Sequence, residues 1–121
     1  QLRKGLKLES YLAQDHVLVT SRRKGPGLED VELGKRGLRR RIRLRCRNYL
    51  AALRAVLQTD LVLTMAERYA TALTAGLRTQ ILPLPFRTPT LDLYLYWHIS
   101  VDDDAANRWL RELVKDAFGG I

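Results

Sequence analysis

The stretch 41-RIRLRCRNYLAALRAVLQTDLVLTM-65 contains the signals for a strand, a helix and a second strand. Arginines and apolar residues alternate from Arg41 to Cys46, which predicts a β-strand with the apolar side chains on one face and the arginines on the other. Asn48 can cap a helix over residues 49–58, whose apolar residues share one stripe. The run Leu61–Met65 predicts a buried strand. This strand–helix–strand order favours a parallel sheet.

The same alternation of strands and helices extends through the rest of the chain. We expect glycines at positions 37 and 76 to end two of the helices, and acidic residues to begin the last one. The expected helices are 6–13, 28–36, 67–75 and 105–117, and the expected further strands are 16–20, 79–84 and 91–97. The fold class predicted from this order is α/β, with a mostly parallel sheet flanked by helices.

The composition is that of a small globular domain, or of one lobe of a larger one. The chain has 121 residues, of which 46% are hydrophobic, so it can form a core. Its single cysteine, Cys46, rules out a disulfide within the chain and suits a reducing compartment. No apolar run reaches the ~20 residues of a membrane span, and no signal peptide is evident. We therefore expect a cytoplasmic protein without a membrane partner.

Positive charge is concentrated in the middle of the chain. The formal net charge is +8, and residues 33–59 contain nine basic residues and no acid. A block of this kind can attract nucleic acid or another anionic partner, although it can also be a solvated surface. Arg41, Arg43 and Arg45 are the candidate interface residues, because the predicted strand places them on one face.

Several short motifs, taken together, resemble LysR-type transcriptional regulators. The C-terminal motifs are Leu82–Phe86, Leu93–His98 and Asn107–Glu112, and they are similar to the end of the nodulation-regulator-like branch of that family. The upstream motifs of the same branch are Tyr11–Ala13, His16–Val19, Leu38–Arg41, Tyr49–Leu53 and Thr59–Val62. In this order and spacing they cover nearly the whole chain.

The resemblance implies the effector-sensing domain of such a regulator, with a type 2 periplasmic-binding-protein-like fold. Residues 1–86 would be its second lobe, and residues 87–121 a linker, strand and helix that return to the first lobe. The rest of that lobe and the helix-turn-helix domain have no counterpart here, so DNA would be bound only through that missing domain. A small-molecule effector of unknown identity would lie between the lobes, without a cofactor. A homo-oligomer, either a dimer or a tetramer, is expected.

Two positions in the fold are candidates for contact with the effector. Asn48, Tyr49 and Leu50 begin a helix, where free backbone N–H groups attract carboxylates. Thr64 and Met65 end a strand on the side where crevices form in α/β sheets. The alternatives are that Asn48 only caps the helix, that Tyr49 only packs, and that the strand end belongs to the core.

Other chemistry has little support in the sequence. No serine lies in a nucleophile motif and no glycine-rich phosphate loop is present, so we expect no enzyme. Cys46, His16 and His98 lack the spacing of metal ligands, and Cys46 is expected to be an inert core residue. The acidic run 102–104 could bind a metal, but helix capping is the favoured interpretation. His98 is interpreted as structural rather than as a titratable switch.

Two rival functions and two structural expectations also follow from the sequence. The rivals are a nucleic-acid-binding module that uses the arginine face, and a fragment of a solute-binding protein of the same architecture. We expect Trp97 and Trp109 to pin the last helix to the sheet. We also expect the region from Gly27 to Arg45 to contribute to a contact between subunits.

Overall fold

The computed structural model describes residues 5–119, which form three strands and five α-helices. The strands are β1 (Asp15–Val19), β2 (Arg41–Cys46) and β3 (Val62–Leu63). The helices are α1 (Leu8–Leu12), α2 (Leu28–Gly34), α3 (Tyr49–Gln58), α4 (Glu67–Thr74) and α5 (Ala105–Phe118), and a 3₁₀ turn covers Ile99–Val101. The chain divides into two compact units, the first ending at Pro89 and the second beginning at Thr90.

The three strands form a parallel sheet in the order β2-β1-β3. The central strand β1 is the most buried, with His16, Val17 and Leu18 all inaccessible to solvent or nearly so. The helix α3 connects the two outer strands and packs on all three. Its Ala52 and Leu53 are buried. The predicted α/β class with a parallel sheet is confirmed.

The register between β1 and β2 contains one irregularity. Because of it, the predicted division of β2 into an apolar and an arginine face is wrong. His16 pairs with Ile42, but Val17 pairs with Leu44, so Arg43 is an extra residue in the outer strand. Because neighbouring residues of β1 point to opposite faces, Ile42 and Leu44 also lie on opposite faces. The expected alternation is therefore interrupted at Arg43, and Leu44 is exposed.

The local signals predicted to begin or end three of the helices are confirmed. The side chain of Asn48 accepts a hydrogen bond of 2.8 Å from the Ala51 amide, as a capping residue does. Gly37 and Gly76 follow α2 and α4 with φ angles of +68° and +75°, a conformation that strongly favours glycine. The predicted helices over residues 6–13 and 28–36 are shorter than expected.

Two predicted strands, over residues 79–84 and 91–97, do not form. The first contains Pro83 and is followed by Pro85, and neither can donate to a β-ladder. The second has no strand beside it among the described residues of its unit, and its side chains are exposed, for example Tyr96 at 84%. Likewise, the strand expected over Leu61–Met65 is reduced to Val62–Leu63.

The main apolar cluster of the first unit contains Tyr11, Leu33 and Phe86. The rings of Tyr11 and Phe86 meet edge to face at 5.5 Å. Partly buried leucines at positions 6, 8, 12, 38 and 84 surround the cluster. Cys46, expected in a core, is only half-buried.

In the second unit, polar contacts hold the start of α5 against the preceding turn. The Asp104 carboxylate caps the helix by accepting a 2.7 Å hydrogen bond from the Asn107 amide, so the capping interpretation of the acidic run is confirmed. The guanidinium of Arg111 lies 4.5 Å from the centre of the Trp97 ring. Trp109 is 65% exposed, so within this unit the predicted packing of both tryptophans between a strand and the helix is wrong, and the helix contacts Trp97 through a cation–π interaction instead. Among residues 5–119, no helix is long and apolar enough to cross a membrane.

Candidate functional site

The candidate effector residues lie along the carboxyl-terminal edge of the sheet. Since all three strands are parallel, the segments that follow β2 and β3 meet the same edge, on either side of β1. Two strand spacings of ~4.8 Å, about 10 Å in all, separate β2 from β3 across the sheet. The chain leaves β1 towards β2 and then crosses back to β3, and α/β crevices form where the strand order reverses in this way.

The group at the start of α3 combines a capping side chain, a ring and an exposed leucine. The side-chain oxygen of Asn48 accepts the capping hydrogen bond from the Ala51 amide. The Tyr49 ring stacks on the Tyr69 ring of α4 with centroids 5.6 Å apart. Burial raises the pKa of the Tyr49 hydroxyl, and the nearby negative charge of Glu29 raises it further. Leu50 is 64% exposed and is therefore available to a partner.

The group after β3 is partly committed to the structure. The hydroxyls of Thr64 and Tyr11 are hydrogen-bonded at 2.9 Å. Thr64 also accepts a longer bond of 3.4 Å from Nη1 of Arg40. Met65 is half-buried, and its side chain has no polar role. Thr64 therefore fastens the strand end to α1.

Arg40 is the centre of the polar network behind this edge. Its side chain is inaccessible to solvent, and its Nε lies 2.6 Å from Asp30 while its Nη2 lies 3.1 Å from Glu29. Burial alone would raise the pKa of Asp30, but hydrogen bonds from Arg40 and from the Gly27 amide outweigh it and hold the pKa below its usual value. The guanidinium thus joins α2 to the entry of β2 as a buried ion pair.

His16 completes this network from β1. Its Nε2 donates a 2.8 Å hydrogen bond to the Tyr11 carbonyl, and the two rings lie 4.5 Å apart. Its buried Nδ1 has no hydrogen-bond partner among the described residues. Burial lowers the pKa of this imidazole, and the positive charge of Arg40 lowers it further. The ring is therefore neutral at pH 7, with its proton on Nε2.

Sequence reasoning missed Arg40 as a structural centre, because it is one arginine within a basic run. The one residue of the network that local sequence could indicate is Asp30, because an acidic residue suits the start of a helix. Its carboxylate accepts a 2.7 Å hydrogen bond from the Gly27 amide there. No local sequence pattern predicts that Asp30 also binds Arg40, ten positions later. No group of three potential metal ligands comes together within residues 5–119.

The three candidate interface arginines do not form one uniform face. Arg41 and Arg43 both pair with Asp15, the latter at 3.4 Å. Arg45 instead donates a 2.9 Å hydrogen bond to the Gly25 carbonyl, in the loop that follows β1. All three remain largely exposed. Two of them are therefore partly neutralised, while the third orders a neighbouring loop.

Comparison with known proteins identifies the family. The sequence model of the LysR substrate binding domain matches residues 2–119. The chain belongs to this family. The transcriptional activator NahR of Pseudomonas putida is 33% identical over 96% of the chain, and the activator NagR of a Ralstonia species is 29% identical over 93%. The chain spans 39% and 38% of the lengths of these two relatives.

A solved structure extends the likeness of this LysR substrate-binding domain to three dimensions. The regulatory domain of MexT, a transcriptional activator of Pseudomonas aeruginosa, is 33% identical, with a TM-score of 0.78. The match covers 90% of this chain and 55% of that domain. Nodulation protein D 3 of Rhizobium leguminosarum bv. phaseoli is also similar, at 29% identity. The predicted LysR resemblance and the type 2 periplasmic-binding-protein-like fold are therefore confirmed.

Proposed function

We propose that this LysR substrate-binding domain is the effector-sensing and oligomerising part of a transcriptional regulator. It acts in the cytoplasm, and it controls DNA binding through a helix-turn-helix domain elsewhere in the regulator. The observation that supports this most is the likeness to the regulatory domain of an activator, at a TM-score of 0.78. An effector that binds more tightly to one arrangement of the lobes would shift the regulator towards that arrangement.

In this proposal residues 1–86 form the second lobe, and residues 87–121 return to the first. Support comes from the apolar side chains that the second unit leaves exposed. Leu93, Tyr96 and Trp109 are 65–84% exposed, and several large apolar side chains exposed in one short unit favour a contact surface. The remainder of the first lobe is the surface that would cover them.

The proposed effector lies between the lobes, against the carboxyl-terminal edge of the sheet. Leu50 and Met65 would contact it, and the stacked ring of Tyr49 would form the wall between them. Asn48 and Thr64 would position these side chains, since their polar atoms are already bonded within the domain. A pocket of this kind is mostly apolar, with a few polar groups that fix the ligand's orientation.

The experiment uses the intact regulator, its operator DNA and a panel of small molecules. We expect at least one compound to change the operator affinity or the footprint. Leu50→Ala and Met65→Ala should then weaken the response to that compound by about tenfold, the effect of roughly 1.4 kcal/mol of lost contact. Ile81→Ala is the matched control, because Ile81 is exposed in the same unit and does not line the groove in which Leu50 lies.

Two results would count against this proposal. One is an operator affinity and footprint that no compound changes. The other is a response that Ile81→Ala weakens as much as Leu50→Ala does, because the loss would then come from a general change in the unit rather than from a site at the start of α3.

The oligomerising role is assigned to the region from Gly27 to Arg45, which would meet the first lobe of a neighbouring subunit. Arg43 is exposed and lies at the irregularity of the outer strand. Arg43→Glu should shift the regulator towards smaller species in sedimentation, whereas Arg87→Glu, exposed outside this region, should not. An unaltered oligomer for Arg43→Glu would contradict the assignment.

A further inference from the structure

Four cations that have no acidic partner within residues 5–119 gather where β1 and β2 end. Arg22, Arg23 and Lys24 lie in the loop after β1, and Arg47 follows β2 directly. Val19 and Cys46 are paired at the ends of these neighbouring strands, so the two segments leave the sheet side by side. We call these four side chains the basic loop cluster.

The loop that carries the cluster is held in place by two other contacts. Arg45 donates to the Gly25 carbonyl at 2.9 Å, and the Arg22 guanidinium donates to the Pro26 carbonyl at 3.1 Å. Neither contact involves a carboxylate, so the positive charge is retained. The loop therefore projects its cations from a fixed base on the sheet.

The charge of the cluster is not balanced by its surroundings. Within the part of the chain that the structure describes, none of the four forms an ion pair, whereas Arg41 and Arg43 share Asp15 and Arg40 is held by Asp30. All four side chains are exposed. The four cations of the cluster therefore contribute to the net charge of +8.

We propose that the basic loop cluster contacts the phosphate backbone of duplex DNA. The cations are open to solvent, which suits many weak contacts to a polyanion better than the capture of one small anion. Residues 20–27 contain no aromatic side chain, and the Tyr49 ring near Arg47 is stacked on Tyr69, so the cations would position the DNA rather than read its bases. This goes beyond the proposed function, in which DNA is bound only by a separate domain.

The experiment measures binding of a labelled duplex to this chain across a salt series. Each phosphate contact contributes about 0.9 to the slope of log K against log salt. Replacing Arg22, Arg23 and Lys24 by glutamine should therefore make the slope shallower by about 3. The matched control replaces three exposed arginines outside the cluster by glutamine, at positions 54, 78 and 87, and should change the slope by less than about 1.

Three outcomes would overturn the inference. The first is no binding of the duplex at low salt. The second is an equal change of slope in both triple variants. The duplex would then be attracted by the net charge of the chain alone, whether the chain is folded or unfolded. The third is displacement of the duplex by polyglutamate at equal charge concentration as effectively as by unlabelled duplex, which would favour an acidic protein partner.

Discussion

Nη1 of Arg40 donates a hydrogen bond of 2.9 Å to the hydroxyl of Tyr11, although the two residues are 29 positions apart. The bond joins α1 to the entry of β2 in a region that water does not reach. The same hydroxyl is bonded to Thr64 after β3. Three segments that are distant in sequence are therefore held together by one guanidinium and one phenol.

Arg40→Met should destabilise the domain by about 3 kcal/mol or more, which is typical when one partner of a buried ion pair is removed. The carboxylates of Glu29 and Asp30 would lose their partner while remaining largely shielded from water, with side chains 17% exposed. Urea unfolding followed by circular dichroism measures the change. Arg39→Met, at an exposed neighbouring position, should change stability by less than about 0.5 kcal/mol; similar losses in both variants would contradict the assigned role.

The hydroxyl pair of Tyr11 and Thr64 should behave as a coupled unit. Tyr11→Phe and Thr64→Val each remove the bond between the two hydroxyls and leave the remaining one with only its contact to Arg40, so each should cost about 1–2 kcal/mol. The double variant should cost less than the sum, with a coupling of about 0.5 kcal/mol or more. A double-mutant cycle by chemical unfolding checks this, and strictly additive losses would show that the 2.9 Å contact contributes no coupling.

Stability should fall on mild acidification because of His16. Burial lowers the pKa of His16 in the folded domain below the usual value of 6.5, so the unfolded chain binds the proton more readily. The contribution is fully present above about pH 6.5 and is lost as the pH falls through the folded value. Unfolding free energies measured from pH 8 down to pH 5 should therefore decrease.

The control for this prediction is a pair of glutamine variants. His16→Gln keeps a side-chain N–H donor without an ionisable ring, so its stability should depend less on pH in this range. His98→Gln alters an exposed ring in the other unit and should retain the original dependence. If His16→Gln also retains it, another group is responsible.

The features that the sequence predicted well are those decided by neighbouring residues. The cap at Asn48 and the left-handed glycines at 37 and 76 depend on a few adjacent positions. Strands are different, because a strand needs a partner. The segment 91–97 alternates as a strand should, yet it has none beside it among the described residues of its unit. The positions of Tyr49 and Thr64 followed from the topology, since residues after parallel strands meet one edge.

The contacts that the sequence could not predict join residues far apart. Arg40 looks like its exposed neighbours Arg39 and Arg41, and only the fold brings Asp30 and Tyr11 to it. The irregularity at Arg43 is equally hidden, because register depends on how β1 is packed as well as on the pattern of β2. For this reason the predicted arginine face divides between Asp15 and the Gly25 carbonyl.

The start of α3 offers a final test, which separates capping from ligand contact. Asn48→Ala removes the acceptor of the Ala51 amide and should cost about 1 kcal/mol of stability, whereas Asn48→Asp should retain most of it, since Asp is an equally good cap. Because the proposed role of Asn48 is to position Tyr49 and Leu50, Asn48→Asp should also retain the effector response of the intact regulator. Thermal unfolding and operator binding measure the two properties. If Asn48→Asp kept the stability but lost the response, the side chain would be a direct ligand contact rather than a cap.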